Sequence, residues 1–345
     1  MSLSLCSFIL SALLASVALL LDYRLAEPRR FHPLVGFGHW AGWWQQRLNP
    51  QAAGSVLSGL AGSAAAQRLL GVLAVLLVVA PLFYLLFSAL KLVWVFAPWL
   101  AALLEAVLLY LCLGGRSLQQ HVQAVATALQ QQELAAARQK LSWIVSRETA
   151  QLAEAEVAQA SIETTLENSS DAIFASLFWF ALGGAPLALL HRWLNTLDAM
   201  WGYKNRQYRH FGWAAARLDD LMNVIPARLT ALCFVLLSRR ISDPQGRQRN
   251  AAWWCWRTQA QHCASPNGGV VMTAGAGALQ RRLSAGGYYH GQWQDKPPMG
   301  CGPAADVADI ATALTLVQRA LWLFMAFWLG SALVLALAAY LMGSV

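Results

Sequence analysis

Leu69 to Ala89 reads LLGVLAVLLVVAPLFYLLFSA, and beyond Lys91, Leu92 to Leu113 reads LVWVFAPWLAALLEAVLLYLCL. A helix needs about 20 mostly apolar residues to cross a bilayer, and each run is that long. Together they predict a hairpin of two membrane helices with its turn at Lys91. Pro81 falls inside the first run and is expected to kink rather than end it, because neighbouring helices can satisfy the carbonyl it frees. Met1 to Leu21 and Ala320 to Met342 pass the same length test. The fold class that follows is all-α: a polytopic helical membrane protein with four clear spans.

Composition agrees. Only 12% of the 345 residues are charged, about half of what a soluble domain carries at roughly 25%. Sixteen Trp and thirteen Phe suit a chain with two interfaces to anchor, since amphipathic rings collect there. The net charge of +8 is the ordinary excess of Lys and Arg in cytoplasmic loops, and no nucleic-acid partner is expected. Met1 to Leu21 lacks the basic start of a signal peptide and is read as a retained helix. Arg24, Arg29, Arg30 and Arg47 place its far end in the cytoplasm, as in a bacterial inner membrane. The six cysteines form no C-x-x-C pair, so neither a disulfide framework nor a zinc site is implied.

Between the spans lie polar regions at 114–171, 191–220 and 239–319, and the whole of 1–345 is read as one membrane enzyme domain. Gly54 to Gln67 is a small-residue connector. Leu118 to Asn168 has no Gly or Pro and places Leu134, Leu141, Ile144, Val145 and Leu152 on one helical face, which predicts a long cytoplasmic amphipathic helix. Ala172 to Leu190 and Met222 to Leu237 are apolar but pose a parity problem. If both spanned, the basic link from His191 to Asp220 would face away from the other polar regions. They are therefore expected to be buried or re-entrant helices lining a cavity.

Four constellations carry polar chemistry. Glu163, Glu167 and Asp171, with Asn168 among them, repeat at i, i+4, i+8 and need a positive partner, for which Arg147 is a candidate. Asn195 and Asp198 precede Gly202, Lys204 and Arg206; Arg217, Asp219 and Asp220 precede Asn223 and Arg228. Paired carboxylates with nearby amides and cations suit Mg²⁺ and phosphate oxygens, although ordinary solvated salt bridges would use the same residues. Ser265-Pro266-Asn267-Gly268-Gly269, followed by the glycines of 274–278 and Gly286-Gly287, is either an anion-approaching backbone or a plain turn-rich loop. Trp253, Trp254 and Trp256 serve either as interface anchors or as a platform for a large ring.

In chain order, these segments resemble the adenosylcobinamide-phosphate synthase family of cobalamin biosynthesis. The resemblance rests on Asp22 with Glu27-Pro28 and His32-Pro33; Arg138 with Ile144-Val145-Ser146-Arg147; Glu167-Asn168-x-x-Asp171; Gly183-Gly184-Ala185-Pro186; Asn195-Thr196-Leu197-Asp198; Gly202-Tyr203; Ala216 to Asp220; Pro226-Ala227-Arg228; and Ser265-Pro266-Asn267. Glu27 and Glu148 stand where the family commonly has Asp, which keeps the carboxylate on a longer arm.

The resemblance implies an ATP-dependent amide bond between adenosylcobyric acid and (R)-1-aminopropan-2-ol or its O-phosphate, with Mg²⁺ on the nucleotide. Its partners would be those substrates, the lipid bilayer and further enzymes of the same assembly. The expected catalytic residues are Glu167, Asn168, Asp171, Asn195, Asp198, Asp219 and Asp220. Asp198, Asp219 and Asp220 double as metal ligands. Arg147, Lys204, Arg206, Arg217, Arg228, Ser265 and Asn267 are expected to hold substrate. The competing readings are a membrane prenyltransferase, whose Asp-rich sites Asp219-Asp220-x-x-Asn223 imitates, and a non-catalytic sensor on the same scaffold.

Overall fold

The computed structural model describes residues 3–28, 30–242, 248–283, 286–289 and 292–341, so Met1, Arg29 and Met342 of the sequence reading lie outside the described residues. In order the helices are α1 (Leu3–Leu25), α2 (Pro33–Leu48), α3 (Ala64–Phe96), α4 (Pro98–Cys112), α5 (Gly115–Gln130), α6 (Leu134–Ser142), α7 (Glu154–Ser169), α8 (Ala175–Trp201) and α9 (Trp213–Leu237). The hairpin β1 (Arg240–Ser242) and β2 (Gln248–Asn250) follows, then α10 (Ala251–Gln259), α11 (Gly268–Leu279), the hairpin β3 (Gly286–Tyr289) and β4 (Gln292–Asp295), and α12 (Val307–Leu341). Among the described residues six helical segments are long and apolar enough to cross a membrane. The chain is a polytopic helical membrane protein, and it divides into two compact units, each drawn from separated stretches of sequence.

The first unit comprises Met1–Leu113 and Ala175–Asn223. Its α1 packs on α4 and α8 through fully buried Ala12, Ala15 and Ala18, a small-residue stripe that lets helix backbones approach where lipid offers no hydrophobic drive. The predicted hairpin between α3 and α4 exists, but its turn is not at Lys91. That residue continues α3, its ammonium 4.9 Å from the Phe87 ring. The helix ends at Ala97, because the ring of Pro98 bars the preceding residue from helical geometry. Pro81 leaves α3 uninterrupted. The short α2 starts with the His32 imidazole accepting from the Leu34 N–H at 3.2 Å and Pro33 in the first turn. It carries the packed indoles of Trp40, Trp43 and Trp44, with Arg47 over Trp43.

Ala172–Leu190 falls in the π turn Ser170–Phe174 and α8, and Met222–Leu237 in α9; both helices are long enough to cross, so length alone requires neither to re-enter. α8 is interrupted at Gly183 (φ −154°, ψ 26°) and Gly184 (φ 69°, ψ −163°), which separate a half from Ala175 to Leu182 and a half from Ala185 to Trp201. Irregular backbone at such depth is a feature of discontinuous membrane helices.

The second unit comprises Gly114–Phe174 and Val224–Gly343. The long amphipathic helix expected over 118–168 is three helices instead. Gln132 takes a left-handed φ of 61°, and the Glu133 N–H closes back on Ala128 O at 2.9 Å, a helix stop that needs no glycine. Residues 143–153 form an open turn before α7, whose first turn is fixed by Glu156 accepting from the Ala153 N–H at 2.7 Å. α7 is buried on nearly every side, packed by α5, α6, α11 and α12.

The glycines of 274–278, read as loop residues, lie in the buried helix α11. They serve packing. A Cβ on Gly275 would meet the Leu166 side chain at 2.5 Å, and one on Gly277 the Ala251 carbonyl of α10 at 2.7 Å. α12 begins at Val307, earlier than the apolar run, and its polar first turn is held by Arg281 Nε to Asp309 Oδ2 at 2.7 Å.

Candidate functional sites

In the first unit, α8 and α9 build a hydrogen-bonded chain of side chains at their polar ends. Asp219 Oδ1 accepts from two amides, Asn223 Nδ2 at 3.1 Å and Asn195 Nδ2 at 3.3 Å. The Asn223 carbonyl accepts in turn from His191 Nε2 at 3.0 Å, and Arg192 Nη1 donates to Asn195 Oδ1 at 3.3 Å. His191 is wholly buried and Asn223 is 2% exposed, so Asp219 is oriented by partners that have little freedom to turn. The i, i+4 step from Asp219 to Asn223 along α9, and the matching step from His191 to Asn195 along α8, are what let one helix face answer the other.

Asp198 lies at the end of α8 beside this chain. Gly202 donates its N–H to the Asp198 carbonyl at 2.7 Å, and any Cβ at Gly202 would land on the Asp198 carboxylate. Glycine there is what allows the carboxylate to fold over the helix end. Asp198, Asp219 and Asp220 are close enough for their charges to repel. Arg217 lies 4.0 Å from Asp220 on the exposed face of α9, an ion pair of small worth in high dielectric. Lys204 and Arg206 are exposed in the turn after Gly202, with no ion pair among the described residues.

In the second unit the acidic face of α7 meets the cation it was expected to need. Glu163, 2% exposed, is ion-paired to Arg147 in the open turn before α7. A second cation, Lys296 Nζ, reaches the same oxygen at 2.9 Å. The other oxygen, Oε1, has no hydrogen-bond partner among the described residues. Thr164 Oγ1 donates to Ile144 O at 2.9 Å and accepts from Asn168 Nδ2 at 2.7 Å, which ties α7 to the Arg147 turn. The spacing argument stops short of Asp171. α7 gives way after Ser169 to a wider π turn, Ser170–Phe174, which breaks the i+4 register.

Glu167 sits over the start of α11: its carboxylate occupies the place a Cβ on Gly268 would take. A negative group is favoured at a helix N-terminus, where free N–H groups converge. The loop before α11 is braced internally. Ser265 Oγ accepts from the Gly268 N–H at 2.9 Å, and Arg228 Nη1 donates to Asn267 Oδ1 at 2.7 Å. Cys263 stands beside this group. Burial pushes its thiol pKa up, Lys296 acts against that, and the Glu167 and Glu163 carboxylates add to it.

Of the residues singled out in sequence, the structure thus gathers Asn195, Asp198, Asp219 and Asp220 in one unit and Arg147, Glu167, Ser265, Asn267 and Arg228 in the other. Arg147 is engaged with Glu163, and Arg228 with Asn267. Lys296 and His191 were missed; each stands beside one other ionisable residue, Asp295 and Arg192, with no spacing or motif that singles it out. No group of three or more His, Cys, Asp and Glu side chains is arranged to hold a metal among the described residues. Trp253 and Trp256 stand at 71° to each other, so they form no flat platform.

Residues 15–317 match the family model described as CobD/Cbib protein. The chain is 48% identical over 325 residues to the cobalamin biosynthesis protein CobD of Chromobacterium violaceum, covering 94% of this chain and 98% of that one. The protein of the same name from Stutzerimonas stutzeri is 47% identical over 314 residues, 90% of this chain and 93% of the relative. That of Geobacter metallireducens is 38% identical over 284 residues, 82% and 84% of the two chains. No solved structure matches.

Proposed function

Because this chain belongs to the CobD/Cbib family, we propose that it is a biosynthetic enzyme of the cobalamin pathway that joins the free carboxylate of adenosylcobyric acid to aminopropanol or its phosphate, at the expense of ATP. The observation that carries the ligase reading is the Asp198–Asp219 pair: two neighbouring carboxylates, one aimed by two amides, neither of them in an ion pair among the described residues. Such a donor set fits Mg²⁺, which takes one or two carboxylates and completes its shell with phosphate oxygens and water. Asp198 and Asp219 would hold the ion, with Asp220 beside them. The ion would supply charge neutralisation on the nucleotide oxygens.

In the reaction a carboxylate oxygen of the corrinoid attacks the γ-phosphorus of ATP and ADP departs. The amine then attacks the acyl carbon, phosphate leaves, and the nitrogen gives up a proton. The chain's residues serve these steps by charge and position. Lys204 and Arg206, exposed beside the Asp198 turn, are suited to phosphate oxygens. In the second unit Arg147 and Lys296 hold the Glu163 side chain in place. Arg228 and Asn267 brace the loop that opens α11. The inner membrane, with the active face in the cytoplasm where ATP is found, is the location this reading requires.

The test is direct. Purified protein is incubated with adenosylcobyric acid, ATP, Mg²⁺ and each amine, and cobinamide products are followed by mass. Product is expected from the wild type and none from Asp219→Ala or Asp198→Ala, both still inserted in the membrane. No product from the wild type with either amine would refute the ligase.

A further inference from the structure

We propose that Glu105, a buried carboxyl in the middle of α4, is the positioning residue for the Asp198–Asp219 site, because it fixes the broken end of α8 that carries half of that site.

A helix begins with N–H groups that have no partner inside it, and at bilayer depth no water supplies one. The second half of α8 begins in this way at Ala185, immediately after the Gly183–Gly184 break. Pro186 brings no N–H to its first turn. The N–H of Ala185 goes to Glu105 Oε2 at 2.7 Å, and the Trp94 indole lies 3.5 Å from Oε1. Gly184 is required on two counts: its φ of 69° is left-handed, and a Cβ there would stand 2.7 Å from Glu105 Oε2. The backbone break and the carboxyl are therefore shaped to each other.

α4 grips the first half of α8 as well, where Ser176 Oγ donates to the Cys112 carbonyl at 3.2 Å. It is the strut to which both halves are tied. An intramembrane ionisable side chain is costly to keep, and an apolar residue on α4 would pack here without that cost. What an apolar residue would lack is an acceptor for Ala185.

The consequence reaches the site along a rigid lever. Asp198 lies thirteen residues beyond Ala185, roughly 20 Å of helix at 1.5 Å per residue. A tilt of about 3° at the pinned end would move its carboxylate by about 1 Å, a displacement able to cost on the order of 100-fold in rate. His191 and Asn195, which address Asn223 and Asp219, ride on the same half-helix. The inference rests on the ligase reading for its consequence but not for its geometry.

The experiment compares Glu105→Gln, which keeps an acceptor oxygen, with Glu105→Leu, which removes it, and with Ala185→Pro, which removes the donor at a helix position where proline is tolerated. Hydrogen exchange of peptides covering 185–198 is measured in nanodiscs. In the same preparations kcat and the half-saturating Mg²⁺ concentration are determined. Faster exchange is expected in Glu105→Leu and Ala185→Pro, with kcat down by about tenfold or more and half-saturating Mg²⁺ raised. Glu105→Gln should stay within about threefold of wild type throughout. A mere loss of folded protein would lower kcat alone and leave half-saturating Mg²⁺ unmoved. Exchange and Mg²⁺ response in Glu105→Leu equal to wild type would overturn the proposal, as would Glu105→Gln failing as badly as Glu105→Leu. Wild-type protein that makes no product refutes the ligase reading instead, and the exchange data then decide the role of Glu105 by themselves.

Discussion

Replacing Glu163 by Gln removes the carboxylate shared by two cations of very different exposure, and the structure sets the order of the losses. The Glu163 side chain is 2% exposed, Arg147 is 6% exposed, and Lys296 is 25% exposed. Glu163→Gln leaves a buried guanidinium facing a neutral amide, and breaking a buried pair from one side costs about 3–5 kcal/mol. For a unit of this size each kcal/mol moves the unfolding midpoint by about 2–4 °C, so a fall of about 6–20 °C is expected. Lys296→Met leaves Arg147 still on Glu163. It removes a cation that reaches solvent, which limits the loss to about 1 kcal/mol, or no more than about 4 °C. Arg147→Met should fall between the two, since Lys296 still compensates Glu163. The midpoints are read by scanning fluorimetry on detergent-purified protein. The double variant Arg147→Met with Glu163→Gln should lose less than the sum of the two single losses, because the pair is removed together. Equal losses from Glu163→Gln and Lys296→Met, or strict additivity in the double variant, would refute the shared-carboxylate account.

Asp219→Asn keeps an acceptor for Asn195 and Asn223 while removing one of three repelling charges, so turnover should drop by about 100-fold or more with the unfolding midpoint unchanged or raised. Gly277→Ala should destabilise by about 1–3 kcal/mol, because its Cβ meets the backbone of α10, whereas Gly275→Ala meets a Leu166 side chain that can rotate away and should cost less. The raised pKa of the Cys263 thiol means less thiolate near neutrality. Its peptide-resolved maleimide labelling should therefore be slower at pH 7 than that of an exposed thiol and still be climbing at pH values where the exposed thiol has levelled off. Glu163→Gln should speed that labelling at fixed pH and Lys296→Met should slow it, since these groups pull the thiol in opposite directions.

The apolar runs at 69–89 and 92–113, like those at the two ends of the chain, were legible because burial in lipid demands a length and hydropathy that the polar stretches do not have. The turn between them was misplaced because a lysine can lie along a helix with its ammonium at the edge, whereas the proline at 98 cannot accept a helical predecessor. The helix breaks inside 118–168 were hidden for a related reason: Gln132 adopts a left-handed turn that sequence patterns reserve for glycine and asparagine. The acidic constellations could be found, since carboxylates at helical spacing beside amides are uncommon in so apolar a chain, and Arg147 was reachable as the cation α7 needed. Lys296 was not, because it is brought to Glu163 from 133 residues away. Glu105 was passed over as one polar residue in a span, and the Gly183–Gly184 break that gives it a purpose is visible only in backbone angles. The glycines of 274–278 misled because close helix packing and ligand-binding loops call for the same residue.

The central claim is that ATP activates the corrinoid carboxylate for amide formation, and isotope transfer tests it most directly. Adenosylcobyric acid labelled with ¹⁸O in both oxygens of its free carboxylate is turned over with ATP, Mg²⁺ and the amine, and the released inorganic phosphate is analysed by mass. The account predicts one ¹⁸O in each phosphate and one retained in the new amide. Amide product accompanied by unlabelled phosphate would contradict it.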